Sequence, residues 1–376
     1  MGAGVMTQVS RRGLMGIAGA AAVLPVAAHA QAMPGLPGLP RFGPAPDIAH
    51  LLYNENPYGP PPSAIRAMAE RAAQGCYYVD DIEPKLAALI AEGLGVGVDN
   101  IVMGNGSSEV LWAAASAWGR KGAILTPELI FDEPLVYAKT LDIPVRTVPM
   151  APDLGIDLVA LQAGITADTA LIYVCNPNNP TGLLLDPVAL RRFIVAVAPK
   201  ATVMVDEAYV ELTDDPTRNT AIDMVRAGYD VIVTRTFSKV YGMAGLRVGY
   251  AVTTPANARR IKAHRMTIGV ASAGMAAALA AVNDTEFLRA SRGAIAQGRS
   301  MIMAAVQAAG LRALSSQTNF VFVEVPDADA LQKAMAARGI VIRGSYPGWP
   351  RWSRVSTGKI EHVRRYADAL PVLTRS

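Results

Sequence analysis

From Asn100 onward, short apolar runs alternate with amphipathic stretches along the chain. The apolar runs cover 101–104, 123–126, 145–148, 170–175, 202–206, 231–235 and 248–253. They are continuous rather than alternating, as strands covered on both faces should be. Helical periodicity predicts helices over 107–118, 131–140, 186–197 and 219–227, with an earlier one over 61–73. Strands alternating with helices indicate an α/β chain whose mostly parallel sheet is sandwiched by helices. After Pro255 the pattern changes. Ala-rich helices over 256–283 and 284–309 precede a strand at 319–325, a helix at 327–338, strands at 340–343 and 353–356, and a helix at 359–373. We therefore expect a large domain over 47–255, followed by connecting helices and a smaller α/β C-terminal domain over 256–376.

The first residues have a different character. Ser10-Arg11-Arg12-Gly13-Leu14-Met15 leads into an Ala-rich apolar segment, and Ala28-His29-Ala30 fits a small-x-small cleavage site. This reads as a twin-arginine export signal over 1–30, with a periplasmic or exported destination. Residues 31–46 read as an extended Pro/Gly-rich arm. No other stretch is long and apolar enough to span a bilayer, so no membrane contact is expected beyond export.

Composition narrows the class. The 376 residues are 51% hydrophobic, enough for a sizeable core, and only 18% charged, which argues against a disordered or nucleic-acid-coating chain. Removing 1–30 takes away Arg11 and Arg12 and no acid, lowering the formal charge from +4 to +2. No polyanionic partner, and no nucleic acid, is implied. Cys76 and Cys175 are expected to be free thiols. His50, His264 and His362 are scattered without ligand spacing, so no metal is expected.

Four motifs carry chemistry. Lys239 follows Thr236-Phe237-Ser238 at the end of the run from Val231, with Gly242, Gly245 and Arg247 downstream. A partly desolvated lysine loses its proton and becomes nucleophilic, which suits an amine joined to an aldehyde cofactor whose phosphate is held nearby. Asp206 ends the run from Thr202, and a carboxylate there needs a partner. Gly104-Asn105-Gly106-Ser107-Ser108-Glu109 joins a strand to a helix, where glycines and unpaired N–H groups suit an anion. Asn176-Pro177-Asn178-Asn179-Pro180-Thr181-Gly182 closes a further run.

With these motifs in this order, the chain resembles the fold-type-I pyridoxal-phosphate aminotransferases of class I/II, most of all the histidinol-phosphate aminotransferase group, from about Leu51 to Ala369. The resemblance implies pyridoxal 5'-phosphate as cofactor and Lys239 as the residue that tethers it and moves the substrate proton. Ser107, Ser108, Thr236, Ser238 and Arg247 would hold the phosphate, Asp206 the pyridine nitrogen, and Asn179 and Tyr209 the phenolic oxygen. Tyr78, in Tyr77-Tyr78-Val79-Asp80, matches a tyrosine that reaches the partner subunit's cofactor, which implies a homodimer. Arg354 would grip a substrate carboxylate or phosphate, Arg343 is a second anion holder, and Asn54 lies in a segment that folds over the substrate. The ring-stacking aromatic of the family is replaced by Leu129 at the simply aligned place, or by Phe131 if the loop shifts.

The implied function is transamination between an amino acid, or an amino-phosphate such as histidinol phosphate, and a 2-oxo acid. Export makes an amino acid other than a biosynthetic intermediate the expected donor. A decarboxylase or lyase of the same fold is the nearest rival, and a non-catalytic exported binding protein a remoter one.

Overall fold

The computed structural model describes residues 43–78 and 81–374. The export signal expected over 1–30, and most of the Pro/Gly-rich arm, lie outside the described residues. All seven apolar runs become strands of one sheet. After a two-residue strand β1 (Ala49–His50), they are β2 (Ile101–Asn105), β3 (Ala123–Pro127), β4 (Val145–Val148), β5 (Thr169–Cys175), β6 (Thr202–Asp206), β7 (Val231–Thr236) and β8 (Val248–Thr253). Their order across the sheet is β2-β8-β7-β6-β5-β3-β4. Neighbours from β4 to β7 pair parallel, whereas β8 runs antiparallel to both β7 and β2.

That one reversal organises the molecule. The loop Phe237–Arg247 between β7 and β8 holds no crossover helix, so the chain must turn back beside the strand it has left. The carboxyl ends of β2, β3, β5, β6 and β7 therefore share one sheet edge with the amino end of β8. In α/β sheets this edge is where ligands bind.

Both faces of the sheet are covered, which is why its strands read as unbroken apolar runs. Ile172, Val174, Val203, Val205, Val231 and Val233 point to one face, against Ile90, Phe193 and Met275. Leu171, Tyr173, Met204 and Ile232 point to the other, against Val110, Leu111 and Trp118 of the helix Gly106–Gly119. A second, antiparallel sheet has the order β12-β10-β9, from β9 (Arg312–Ala313), β10 (Phe320–Glu324) and β12 (Trp352–Ser356). The strand β11 (Ile340–Val341) pairs parallel with β1. Helices Thr285–Ala308, Ala328–Ala336 and Ile360–Thr374 pack over these strands around Ile302, Val321, Val323, Val355 and Tyr366.

Some boundaries differ from expectation, each for a local reason. The helix expected over 219–227 is two short ones, Pro216–Asn219 and Ile222–Arg226. Between them the Ala221 N–H and the Thr220 hydroxyl turn to donate to buried Glu207. The helix expected over 256–283 is split into Pro255–Lys262 and Ser272–Ala281. In the gap, the Met266 N–H donates to Glu109 and the Gly269 carbonyl accepts from Asn105, so backbone polar groups serve the strand–helix turn instead of a helix. The first helix, α1 (Pro62–Ala72), lies where it was expected, but the second, α2 (Ile82–Leu94), was not expected, although Ile82, Leu86, Ala87, Ile90 and Ala91 are buried at helical spacing.

Glu207 is fully buried beside Asp206 and is satisfied entirely by protein. Arg235 on β7 donates to it at 3.0 and 3.2 Å, the Thr220 hydroxyl at 2.8 Å and the Ala221 N–H at 2.6 Å. The pair thus locks the end of β6 to β7. Removing one partner strands a charge in the interior. Arg235→Ala is expected to lower stability by about 3–5 kcal/mol, whereas replacing both partners (Glu207→Leu with Arg235→Met) costs far less. Urea unfolding of the cofactor-free chain measures the difference.

Candidate active site

At the shared strand edge lies a cavity of about 220 Å³. Its walls bring together Asn54, Ser107, Ser108, Asn179, Asp206, Tyr209, Thr236, Ser238, Lys239, Arg247 and Arg354. These positions are spread from 54 to 354 in sequence, and all but Arg354, which sits mid-strand in β12, come from a strand end or from a segment next to one. Asp206 closes β6, Thr236 closes β7, Arg247 immediately precedes β8, and Ser107 and Ser108 lie in the first turn of the helix α3 (Gly106–Gly119) that follows β2.

The floor is a buried carboxylate. Asp206 Oδ1 accepts from the Thr234 hydroxyl at 3.0 Å and the Ala208 N–H at 3.2 Å. Its Oδ2 has only the Cys175 thiol, 4.0 Å away. Burial pushes its pKa up to about 6 against these hydrogen bonds and the Lys239 charge. Lys239 is pushed the other way. Burial first, and then the Arg354 charge, lower its amine to about 8. The amine donates only a long bond, 3.4 Å, to the Tyr53 carbonyl and stands 5.5 Å from the Tyr209 ring centre. The Tyr209 hydroxyl accepts from Asn54 Nδ2 at 3.0 Å, and burial holds its pKa above the ordinary phenol value. Asn54 is itself fixed by Ser356, which accepts from its N–H at 2.9 Å and donates to its Oδ1 at 2.7 Å.

Along one wall the polar groups form a cup. Gly106 has φ +71° where α3 begins, and a Cβ there would collide with the Arg247 guanidinium that lies across it. The Thr236 hydroxyl donates to Ser238 Oγ at 2.8 Å, and Arg247 reaches Ser238 and Ser108 at 3.4 Å each. Among the described residues no carboxylate pairs with Arg247. A cation, several hydroxyls and a helix N-terminus around a site that excludes a side chain suit a phosphate.

Elsewhere on the wall, Arg354 is 9% exposed. It donates to Asn179 Oδ1 at 2.6 Å and to the Leu52 carbonyl at 2.8 Å, and its Nε has no partner. Arg343 is not gathered with it. Its backbone pairs with Arg354, but its side chain is exposed, lies 5.1 Å from the Tyr346 ring and lines no part of the cavity. Tyr78 is 75% exposed, and it too lies outside the cavity. Phe131, not Leu129, lines the cavity. Leu129 is buried with Leu154, Leu314, Phe322 and Trp352. The loop that presents Phe131 is tethered from behind: fully buried Tyr173 donates to the Phe131 carbonyl at 3.1 Å, and Asn178 to the Leu129 carbonyl at 3.1 Å. Sequence reasoning missed these tethers, and also Glu133, whose carboxylate accepts from the Ser108 hydroxyl at 2.7 Å. A hydrophobic pattern carries no sign of such cross-loop bonds. Cys76 is exposed and Cys175 buried, and they are not bridged.

The half-satisfied Asp206, the cup at Gly106 and the weakly bonded amine of Lys239 fit the ring nitrogen, the phosphate and the aldehyde of pyridoxal phosphate in turn. Comparison with known proteins agrees. The family described as aminotransferase class I and II matches residues 46–370. Histidinol-phosphate aminotransferase 1 of Cupriavidus pinatubonensis is 39% identical over 86% of this chain and 87% of its own length. The structure of the histidinol-phosphate aminotransferase of Sinorhizobium meliloti in complex with pyridoxal-5'-phosphate superposes with a TM-score of 0.81 at 30% identity, covering 88% of this chain and 92% of that one. The L-threonine-O-3-phosphate decarboxylase of Porphyromonas gingivalis shares the fold at 20% identity with a TM-score of 0.74. These relatives correct the expectation of an exported protein. The curated relatives are named as histidinol-phosphate aminotransferases, and nothing in them supports an export signal over 1–30. The chain belongs to the class I and II aminotransferase family, and its cofactor is pyridoxal 5'-phosphate.

Proposed function

We propose that this aminotransferase takes its amino group from an amine that carries a phosphate or carboxylate, with histidinol phosphate the first donor to test, and passes it to a 2-oxo acid. The observation that carries the substrate class is Arg354. It is a buried arginine in the same cavity as Lys239, with a free Nε and no carboxylate partner among the described residues. Without export, the ground for preferring a donor outside biosynthesis is gone.

The proposed roles follow from chemistry at each atom. When bound, pyridoxal phosphate supplies an electron sink for the carbanion formed at the substrate α-carbon. Asp206, as a carboxylate, keeps a proton on the ring nitrogen. Asn179 and Tyr209 direct hydrogen bonds at the phenolic oxygen, and Phe131 covers a face of the ring. Ser107, Ser108, Thr236, Ser238 and Arg247 hold the phosphate. Lys239 is the catalytic residue. With a pKa of about 8, its amine can both accept and return the α-proton near neutral pH. Arg354 holds the substrate anion, and Asn54 orients the substrate from the side of Tyr209. Residues 47–255 form the proposed cofactor domain and 256–376 the smaller one.

We also infer a homodimer in which Tyr78 reaches the partner's site. Tyr77, Tyr78, Met266 and Ile268 are between 60% and 75% exposed, an apolar display that a second copy would cover. Sedimentation is expected to give a dimer, and a monomer at micromolar concentration would rule this arrangement out.

Two measurements test the reaction. Histidinol phosphate and a panel of amino acids, each supplied with 2-oxoglutarate, should yield glutamate without released carbon dioxide or ammonia. Release of either gas in place of glutamate would instead indicate decarboxylation or elimination. Arg354→Leu should raise KM for the anionic donor about 10- to 100-fold, the loss of a charge-assisted pair. The second measurement follows the Lys239 amine in the cofactor-free protein. Above about pH 8 it is neutral and reactive, below it protonated, so acylation of Lys239 should rise as pH passes through about 8. A rise only near the ordinary lysine value would refute the assigned environment, and Lys239→Arg should abolish turnover.

A further inference from the structure

Directly behind Ser108 of the phosphate cup, outside the residues that line the cavity, stands one group that does not suit an anion. Glu133 opens the helix α4 (Glu133–Thr140), and its Oε2 accepts the Ser108 hydroxyl proton at 2.7 Å. Among the described residues no cation lies within ion-pair distance of this carboxylate. Its charge is felt as far as Asp206 and Tyr173. A serine hydroxyl has one proton to give. With that proton on Glu133, Ser108 turns lone pairs toward the cup, where Arg247 Nη2 approaches its Oγ at 3.4 Å. An arriving phosphate meets an acceptor where it needs a donor, and a carboxylate one hydroxyl away.

We propose that Glu133 acts as a brake on cofactor affinity, competing with the phosphate for the single proton of Ser108. The inference rests on reading Ser107, Ser108, Thr236, Ser238 and Arg247 as the phosphate site. The carboxylate has a structural benefit that explains its presence. It sits in the first turn of α4, where a negative charge is favourable, and it ties that helix to the start of α3. Its effect on the phosphate has the opposite sign. Glutamine at this position removes the charge, and its amide can donate to Ser108 Oγ, which frees the serine proton for the phosphate.

The probe is pyridoxamine phosphate, which has no aldehyde and so reports ring and phosphate contacts without a bond to Lys239. Its dissociation constant is measured by fluorescence quenching on the full chain dialysed free of cofactor. Glu133→Gln is expected to bind it about tenfold more tightly, the size of effect that one nearby like charge exerts in a partly screened site. Pyridoxamine, which lacks the phosphate, should bind wild type and variant alike. In a Ser108→Ala background the gain from Glu133→Gln should shrink to about twofold or less, since the shared proton is gone. Unchanged or weaker binding of pyridoxamine phosphate overturns the proposal. So does an equal gain for pyridoxamine, or a full gain in the Ser108→Ala background. Should glutamine disturb the start of α4, Glu133→Ser keeps a residue suited to a helix start and carries the same expectation. A wild-type chain that takes up no pyridoxamine phosphate at all would instead refute the phosphate cup itself, and this inference with it.

Discussion

The buried carboxylate of Asp206 is the constraint around which the site is built. A charge closed inside a sheet is costly unless hydrogen bonds and an opposite charge offset the lost water. Thr234 and Ala208 satisfy one oxygen, and the other faces the cavity with only a distant thiol for company. The protein therefore carries an incomplete interaction at its centre. In the proposed arrangement a protonated ring nitrogen would complete it, so the cofactor's place would be set by what the apoprotein lacks. The same debt explains why the neighbouring Glu207 is so fully paired. Two adjacent buried acids are tolerable only if one is neutralised within the protein, and Arg235 does that on the far side of the strand end.

Topology delivers the other groups to this carboxylate. If β8 ran parallel to β7, Arg247 would open its strand at the opposite edge, away from Ser107 and Ser108. The antiparallel return places the arginine beside both Ser238, on the loop it closes, and the start of α3. The segment before the first helix is seated just as closely. Gly242, at φ +66°, packs directly on Gly59, which holds the strip from Asn54 to Gly59 against the Lys239 loop.

Much of this was legible in the sequence because most of the chemical residues, Arg354 in mid-strand excepted, stand at or just beyond the end of an apolar run. Asp206, Asn179 and Lys239 stand where continuous Val/Ile/Leu content stops, and a strand end in a parallel sheet is a ligand edge. The seven strands were legible for the same reason. What the pattern could not carry was anything decided across loops. Arg343 shares a strand environment with Arg354 in sequence, yet the two backbones pair at an isolated bridge and the Arg343 side chain turns outward onto Tyr346. The choice between Leu129 and Phe131 depends on Tyr173, forty-two residues away, holding a carbonyl. The breaks in the helices at 219–227 and 256–283 arise from backbone groups recruited by Glu207 and Glu109, and local helix propensity has no knowledge of either.

One consequence joins the two ends of the cavity. The low proton affinity of the Lys239 amine comes first from burial and next from the positive charge of Arg354. Arg354 is also the group assigned to the substrate's anion. When an anion neutralises that guanidinium, the second cause disappears while the first remains, and the amine's affinity for a proton rises. In the cofactor-free site the lowered affinity leaves more of the amine unprotonated than in an ordinary lysine. On the proposed reading, substrate held at Arg354 would make the freed amine a stronger acceptor for the α-proton, at the step where a base is required. An amine without an anionic group would leave the Arg354 charge in place and meet a weaker base. Discrimination would then fall on the chemical step as well as on binding, and a single arginine would serve both substrate selection and proton transfer.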